Sequence, residues 1–268
     1  MSFMLQIQPA EITDEEGEST MNKVAQVSLY FWIIKICATT LGETVGDLLS
    51  MTMNVGYGLS SAILIGLFLI SVVVQLMSSR FYPVLYWTVI LTTSTAGTTM
   101  SDYMDRTLGF GYGKGSLILV TCLLIVMAVW HLSEKTLSVS NIQTTKAELF
   151  YWLAILFSNT LGTAFGDFLA DDSGLGFLGS ATLVGGLIAL IALASYVTQL
   201  NRVMLFWLAF VLTRPFGATF GDLLTKSLEK GGLGLGTVGS SIILAIMFVA
   251  FVVYTTCSER RTTQETTV

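Results

Sequence analysis

The chain has 268 residues, 53% of them hydrophobic and 12% charged, with a mean hydropathy of +0.74. One soluble core cannot hide that much apolar surface, so lipid is the solvent for most of the chain. The net charge of −5 comes from an acidic N-terminal stretch and from acids at or inside apolar runs, which points away from a nucleic-acid partner.

Residues 1–22 are polar and acidic (EITDEEGEST) without a basic start or a small-residue cleavage site, and predict a disordered cytoplasmic tail rather than a signal peptide. From there to Thr256 the apolar runs are nearly continuous. Internal self-similarity organises them. Trp32, Trp87, Trp152 and Trp207 are separated by 55, 65 and 55 residues, and Asp47, Asp102, Asp167 and Asp222 keep the same separations, always 15 after the tryptophan. The copies are 23–80, 81–132, 147–200 and 201–257, with a polar linker at 133–146 and a second cytoplasmic tail at 258–268. Each copy offers two runs near the ~20 residues that cross a bilayer, predicting spans at 27–52, 58–78, 82–104, 115–132, 147–170, 176–198, 203–226 and 237–257. The expected fold is therefore an all-α membrane protein of eight helices, four tandem two-helix repeats arranged pseudo-fourfold or two-by-two about an axis along the membrane normal. Two spans per copy put every copy in the membrane the same way round, which excludes an inverted repeat.

Seven basic residues fall on the side of the termini (Lys23, Arg80, Lys135, Lys146, Arg202, Arg260, Arg261) against Arg106, Lys114, Lys226 and Lys230 opposite, so both termini are expected in the cytoplasm. The tryptophans are expected as interface anchors, and His131, at the end of a run, as a surface residue.

Every copy carries a small-xxx-small pair before its aspartate: Gly42 and Gly46, Gly97 and Ser101, Gly162 and Gly166, Gly217 and Gly221. Such pairs let helices approach closely. Thr40, Glu43, Thr44 and Asp47 follow at i, i+3, i+4 and i+7 and share one helix face. The matching stripes are Thr95, Thr98, Thr99 and Asp102, then Thr160, Thr163 and Asp167, then Thr219 and Asp222. An ionisable residue in lipid costs ~2.5–3.5 kcal/mol on insertion scales, so four equivalent ones should face the bundle interior, where a ring of carboxylates attracts cations. The competing reading is that the aspartates are structural and the threonines bond their own helix. Oxygen donors suit hard ions such as Mn, Ca or Mg, and four acids at one depth would exchange such an ion with protons. Met51, Met53, Met100 and Met104 near the first two aspartates are filler or soft ligands. Three cysteines, Cys37, Cys122 and Cys257, and one histidine argue against a disulfide framework or a soft-metal site. Copy four adds Arg214 and Pro215, and Arg214 and Lys35 are candidate counter-ions for Glu43 or an aspartate.

The repeated Trp-to-Gly-Asp unit resembles, over nearly the whole chain, bacterial multi-pass membrane proteins described as uncharacterised, membrane-anchored and repeat-containing, which implies a plasma (inner) membrane location and no named activity. Glu43 with Gly46 and Asp47 is similar to the Glu-x-Gly-Asp repeat of the calcium and manganese/proton antiporters, with one extra residue of spacing and Leu48 in place of a basic residue. The resulting expectation is a transporter of a hard divalent cation, with no resident cofactor and no catalysis, its partners being lipid, the cation and protons, its oligomeric state open. The alternatives are a membrane scaffold and, more remotely, an intramembrane aspartyl protease, whose Gly-x-Gly-Asp setting is broken by Thr44, Thr99, Ala164 and Thr219.

Overall fold

The computed structural model describes residues 23–142 and 144–266, which contain helices and no strand; the acidic tail at 1–22 and residues 267–268 lie outside them. Eight α-helices follow in order: α1 Leu29–Asp47, α2 Tyr57–Met77, α3 Pro83–Asp102, α4 Tyr112–Glu134, α5 Thr145–Asp167, α6 Gly176–Val197, α7 Arg202–Thr225 and α8 Thr237–Thr266. Local chemistry starts several of them. The Ser28 hydroxyl accepts from Phe31 N at 3.2 Å, the Thr144 hydroxyl from Ala147 N at 3.0 Å, and Asn201 Oδ1 from Val203 N and Met204 N, each satisfying backbone donors that the first turn leaves free. Pro83 opens α3, where its missing N–H costs nothing. α8 runs through Thr266, so residues 258–266 continue a helix that the sequence was expected to end at 257.

Six of the helices are long and apolar enough to cross a membrane: Tyr57–Met77, Tyr112–Glu134, Thr145–Asp172, Gly176–Val197, Arg202–Thr225 and Thr237–Cys257. α1 and α3 fall short of the eight expected because Lys35, Thr39, Thr40, Glu43 and Thr44 dilute the first and five threonines between Thr92 and Thr99 the second. Most residues of both are buried against other helices.

The odd helices close a ring, α1 against α3, α3 against α5, α5 against α7 and α7 against α1, and each even helix lies outside it. Each even helix packs on the odd helix of the following copy, α2 on α3, α4 on α5 and α6 on α7, while α8 closes back onto α1. The two helices of one sequence copy are thus not each other's main partner. The turn between them explains the separation. Beyond Asp47, Asp102 and Asp167 the helix widens into a five-residue π turn (Leu48–Thr52, Tyr103–Thr107, Phe168–Asp172), and two residues at positive φ then redirect the chain: Asn54 and Gly56, Gly109 and Gly111, Gly174 and Gly176.

Glycines set the ring's interhelix distance. A Cβ on Gly42 would meet the Ser94 Cβ at 2.6 Å, one on Gly97 the Asn159 carbonyl carbon at 2.9 Å, one on Gly162 the Arg214 carbonyl carbon at 3.0 Å, and one on Gly217 the Thr39 Cβ at 2.7 Å. The same contact recurs at all four interfaces, each glycine seated on the residue seven after the next copy's tryptophan. At the end bearing the termini the tryptophans do not reach outward as interface anchors. Trp87, Trp152 and Trp207 are buried and Trp32 is half-buried. Each is packed by an aromatic of the preceding copy: Phe31 on Trp87, Tyr86 on Trp152, Tyr151 on Trp207 and Phe206 on Trp32, with centroids 5.5–6.2 Å apart. The polar linker is shorter than the expected 133–146, since α4 ends at Glu134 and α5 starts at Thr145, and it is tied to that end by Ile142, buried at 1% exposure, and by Trp207 Nε1 donating to the Leu137 carbonyl at 2.9 Å.

Candidate functional site

The interior of the ring is lined by every fourth residue of the odd helices. On α1 these are Phe31, Lys35, Thr39, Glu43 and Asp47; on α3 Tyr86, Ile90, Ser94, Thr98 and Asp102; on α5 Tyr151, Ile155, Asn159, Thr163 and Asp167; on α7 Phe206, Phe210, Arg214, Ala218 and Asp222. All twenty are buried. An i±4n row is a natural packing ridge where helices cross, and it tilts relative to the i, i+3, i+7 face expected from sequence. Thr40, Thr44, Thr95, Thr99, Thr160 and Thr219 accordingly sit beside the axis row. Their hydroxyls donate to carbonyls of their own helices, such as Ile36 O for Thr40, Leu41 O for Thr44 and Leu156 O for Thr160. Thr44 also receives the Ser241 hydroxyl at 3.0 Å.

At mid-depth the axis is closed by Arg214, which is 0% exposed. Its Nη1 lies 3.0 Å from Glu43 Oε2 and 3.4 Å from the Thr39 carbonyl. Its Nη2 donates to Thr163 Oγ1 at 2.8 Å, to the Ser94 carbonyl at 3.3 Å and to Thr98 Oγ1. One guanidinium from α7 therefore binds α1, α3 and α5 together. Thr98 and Thr163 each complete Glu43 with a hydroxyl at 3.3 Å. The other candidate counter-ion, Lys35, lies elsewhere: its ammonium is 3.5 Å from Asn159 Oδ1 and 4.0 Å above the Phe210 ring, with no carboxylate in ion-pair range among the described residues.

The four aspartates form the outermost layer, and cations that sequence reasoning missed join them in two pairs. Arg106 Nε lies 2.9 Å from Asp102 Oδ1 and its Nη2 3.1 Å from Asp167 Oδ2. The Lys226 ammonium lies 3.0 Å from Asp222 Oδ1 and contacts Asp47 Oδ2. Asp102 Oδ1 and Asp222 Oδ1 have no aligned hydrogen bond, so charge alone holds them. The missed signal was a basic residue four after the aspartate in copies two and four, against Met51 and Asp171 in copies one and three. Glu43, Asp47 and Asp222 each bring a carboxylate oxygen within 4.8 Å of the others, all buried. Their donor set is oxygen only, which suits a hard cation. Met51 and Met53 are exposed at 39% and 62% and Met100 and Met104 are half-buried.

The small residues that precede the aspartates seat on the neighbouring helix: a Cβ on Gly46 would meet Thr98 Cβ at 2.8 Å, one on Gly166 the Ala218 Cβ at 3.2 Å, and one on Gly221 the Glu43 Cβ at 3.1 Å. Ser101, the exception, donates to Asp105 Oδ2 at 3.3 Å. Asp105 is a fifth buried aspartate, 5% exposed, that the repeat pattern did not mark. It lies against Gly115 of α4, whose added Cβ would come 2.8 Å from the Asp105 carboxyl carbon. The corresponding residue pairs are Ser50 with Ser60 and Ala170 with Ser180 in copies one and three, so the large acid in copy two is matched by the loss of a side chain opposite.

No curated protein matches the chain, and no solved structure does. A family model described as a repeat of unknown function, DUF347, matches four times, over residues 30–81, 85–136, 150–201 and 205–261. This membrane protein of four tandem repeats therefore belongs to the DUF347 repeat family.

Proposed function

We propose that the protein is a carrier for a hard divalent cation such as Mn, Ca or Mg, exchanged for protons at the Glu43–Asp47–Asp222 cluster. It works as eight spans in a pseudo-fourfold ring with two-by-two charge pairing, both termini cytoplasmic, in a bacterial inner membrane. The observation that carries the reading is the approach of three buried carboxylate oxygens within 4.8 Å at one end of the ring. Buried like charges so close demand a cation or protons. Charge balance supports a divalent ion. The two outer layers hold five carboxylates, Glu43 and the four aspartates, against Arg214, Arg106 and Lys226, an excess of negative charge that a divalent ion reduces even where it takes the place of one of these cations. A carrier fits better than a pore, because Arg214 fills the axis below the cluster and Lys35 occupies the layer below that, both 0% exposed. The fixed charge of Arg214 on the axis opposes passage of a cation.

One observation favours the rival reading of a structural scaffold: each of the four aspartates is ion-paired with Arg106 or Lys226. Proteoliposomes loaded with dyes for Mn, Ca and Mg decide between them. A pH gradient should drive uptake by the parent, and Asp47→Asn with Asp222→Asn should abolish it while the helical circular-dichroism signal persists. Uptake by that variant at the parent's rate would place transport elsewhere, and no flux of any of the three ions by the parent would leave the scaffold.

A further inference from the structure

We propose that the Lys226 ammonium is a tethered counter-cation, which a hard divalent cation displaces as it enters the Glu43–Asp47–Asp222 cluster, whereas Arg106 stays in place. The inference rests on the cation-binding reading above and adds which group must leave. Lys226 occupies the position such an ion would take, between carboxylates of two different copies, 3.0 Å from Asp222 Oδ1 and in contact with Asp47 Oδ2. Those two carboxylates are its only ion-pair partners among the described residues. Replacing one positive charge there by two improves the balance of the cluster, and the ammonium's own charge then favours departure.

The backbone lets the side chain leave. Lys226 is the first residue past α7, in extended conformation (φ −69°, ψ 155°), and although its side chain is less exposed than that of Arg106, 18% against 30%, its four-carbon stem can turn the head toward the exposed residues that follow it. The surrounding connection is unlike the other three. α7 passes into Lys226 without a π turn, and α8 starts fifteen positions after Asp222, whereas α2 starts ten positions after Asp47. The closing bond of the turn is nevertheless kept: Leu235 N donates to the Leu224 carbonyl at 3.0 Å, as Val55 N does to Leu49 and Phe110 N to Met104. The extra residues, Ser227–Gly231, are looped out beside Lys226, and Ser227, Leu228, Glu229 and Lys230 are exposed. The released ammonium thus emerges into the one inter-helix turn enlarged at this end.

Arg106 is built to stay. Its Nη1 donates to the Tyr57 hydroxyl at 3.1 Å, and its guanidinium lies 5.8 Å and 5.6 Å from the Tyr57 and Tyr112 ring centroids. It sits within the π turn, between two helices that hold it from both sides. The two cations that pair the aspartates therefore differ in kind, one also anchored by a tyrosine hydroxyl and two aromatic rings and one held by its two carboxylates and nothing else among the described residues.

The test is Mn2+ binding to the full chain in lipid nanodiscs, followed by electron paramagnetic resonance, for the parent, Lys226→Gln and Lys230→Gln. Lys230→Gln removes the same charge from the same connection without touching the acids. Removing a built-in competitor raises apparent affinity by the reciprocal of the fraction of time the site stood free of it, so Lys226→Gln should bind at least about tenfold tighter and Lys230→Gln should match the parent within about twofold. Equal or weaker binding by Lys226→Gln, with a bound parent, overturns the tether and leaves the cation site standing. Binding by neither parent nor Lys226→Gln, with Ca2+ and Mg2+ also silent, removes both. A second measurement needs no variant: amine-directed labelling of the parent, read by mass spectrometry at Lys226, should rise several-fold at saturating Mn2+, and an unchanged yield likewise overturns the displacement.

Discussion

Arg214 offers the sharpest test of what holds the ring together. Changing it to Met keeps the aliphatic stem that packs on Gly162 but removes the guanidinium that binds Glu43 Oε2 at 3.0 Å, Thr163, Thr98 and two carbonyls. Glu43, 3% exposed, would then keep only the two threonine hydroxyls at 3.3 Å. Breaking one side of a buried pair costs about 3–5 kcal/mol, because the remaining charge stays out of water. Glu43→Gln in that background removes the stranded charge, and well-packed neutral replacements of buried pairs are often close to the parent in stability. The double variant should therefore recover about 2 kcal/mol or more over the sum of the single losses, against the ~0.5 kcal/mol within which independent sites add. Unfolding in mixed detergent micelles, followed by circular dichroism, measures all four corners of the cycle. Single losses that simply add would show that the pair does not couple α1 to α7, and the account of a ring closed by one guanidinium would fail.

Gly97→Ala puts a methyl 2.9 Å from the backbone of Asn159 and Thr160 and should cost about 1–3 kcal/mol. Gly66→Ala on α2, where nothing lies within 4 Å, should be neutral or stabilise by up to about 1 kcal/mol; equal effects in a melting experiment would refute the glycine seats. Gly115→Ser should overlap the Asp105 carboxylate and lose about 1–3 kcal/mol, and adding Asp105→Ser, which recreates the Ser50–Ser60 pair of copy one, should restore most of it. A double variant no more stable than Gly115→Ser alone would break the size-match argument. Cysteines at Ser140 and Gly113, in a chain freed of Cys37, Cys122 and Cys257, should react with an impermeant reagent from opposite sides of the membrane, and reaction of both from one side would end the eight-span topology.

The repeat was legible because duplication keeps spacing even where side chains drift. Trp-to-Asp intervals of 15 survive in all four copies, and those intervals place the glycines that seat one odd helix on the next. What each repeated residue does was less legible, since that depends on tilt. An i, i+3, i+4, i+7 face assumes a helix lying parallel to the axis. The odd helices instead line the ring with an i+4 row, so Thr39, Ser94 and Asn159 lie inside and Thr40, Thr95 and Thr160 bond their own carbonyls. The tryptophans read as interface anchors for a similar reason: their position near a helix end was visible, but the aromatic of the neighbouring copy that covers each was not.

Charge pairing shows where repetition misleads and its interruptions inform. Four aspartates at one spacing suggest a uniform ring, yet the chain supplies basic partners in only two copies, Arg106 and Lys226, each four residues after its own aspartate. At that spacing a side chain reaches back one turn to its own helix, and the closed ring brings the aspartate of an adjoining copy within its reach as well. Copies two and three are joined in this way, and copies four and one. Arg214 then acts at the centre of the layers below, on a single carboxylate that only copy one possesses. Charge thus reduces a ring with four similar backbone interfaces to two unequal halves. The half with Glu43, a third carboxylate and a counter-ion held by two carboxylates without aromatic neighbours is the one from which an ion has least to dislodge.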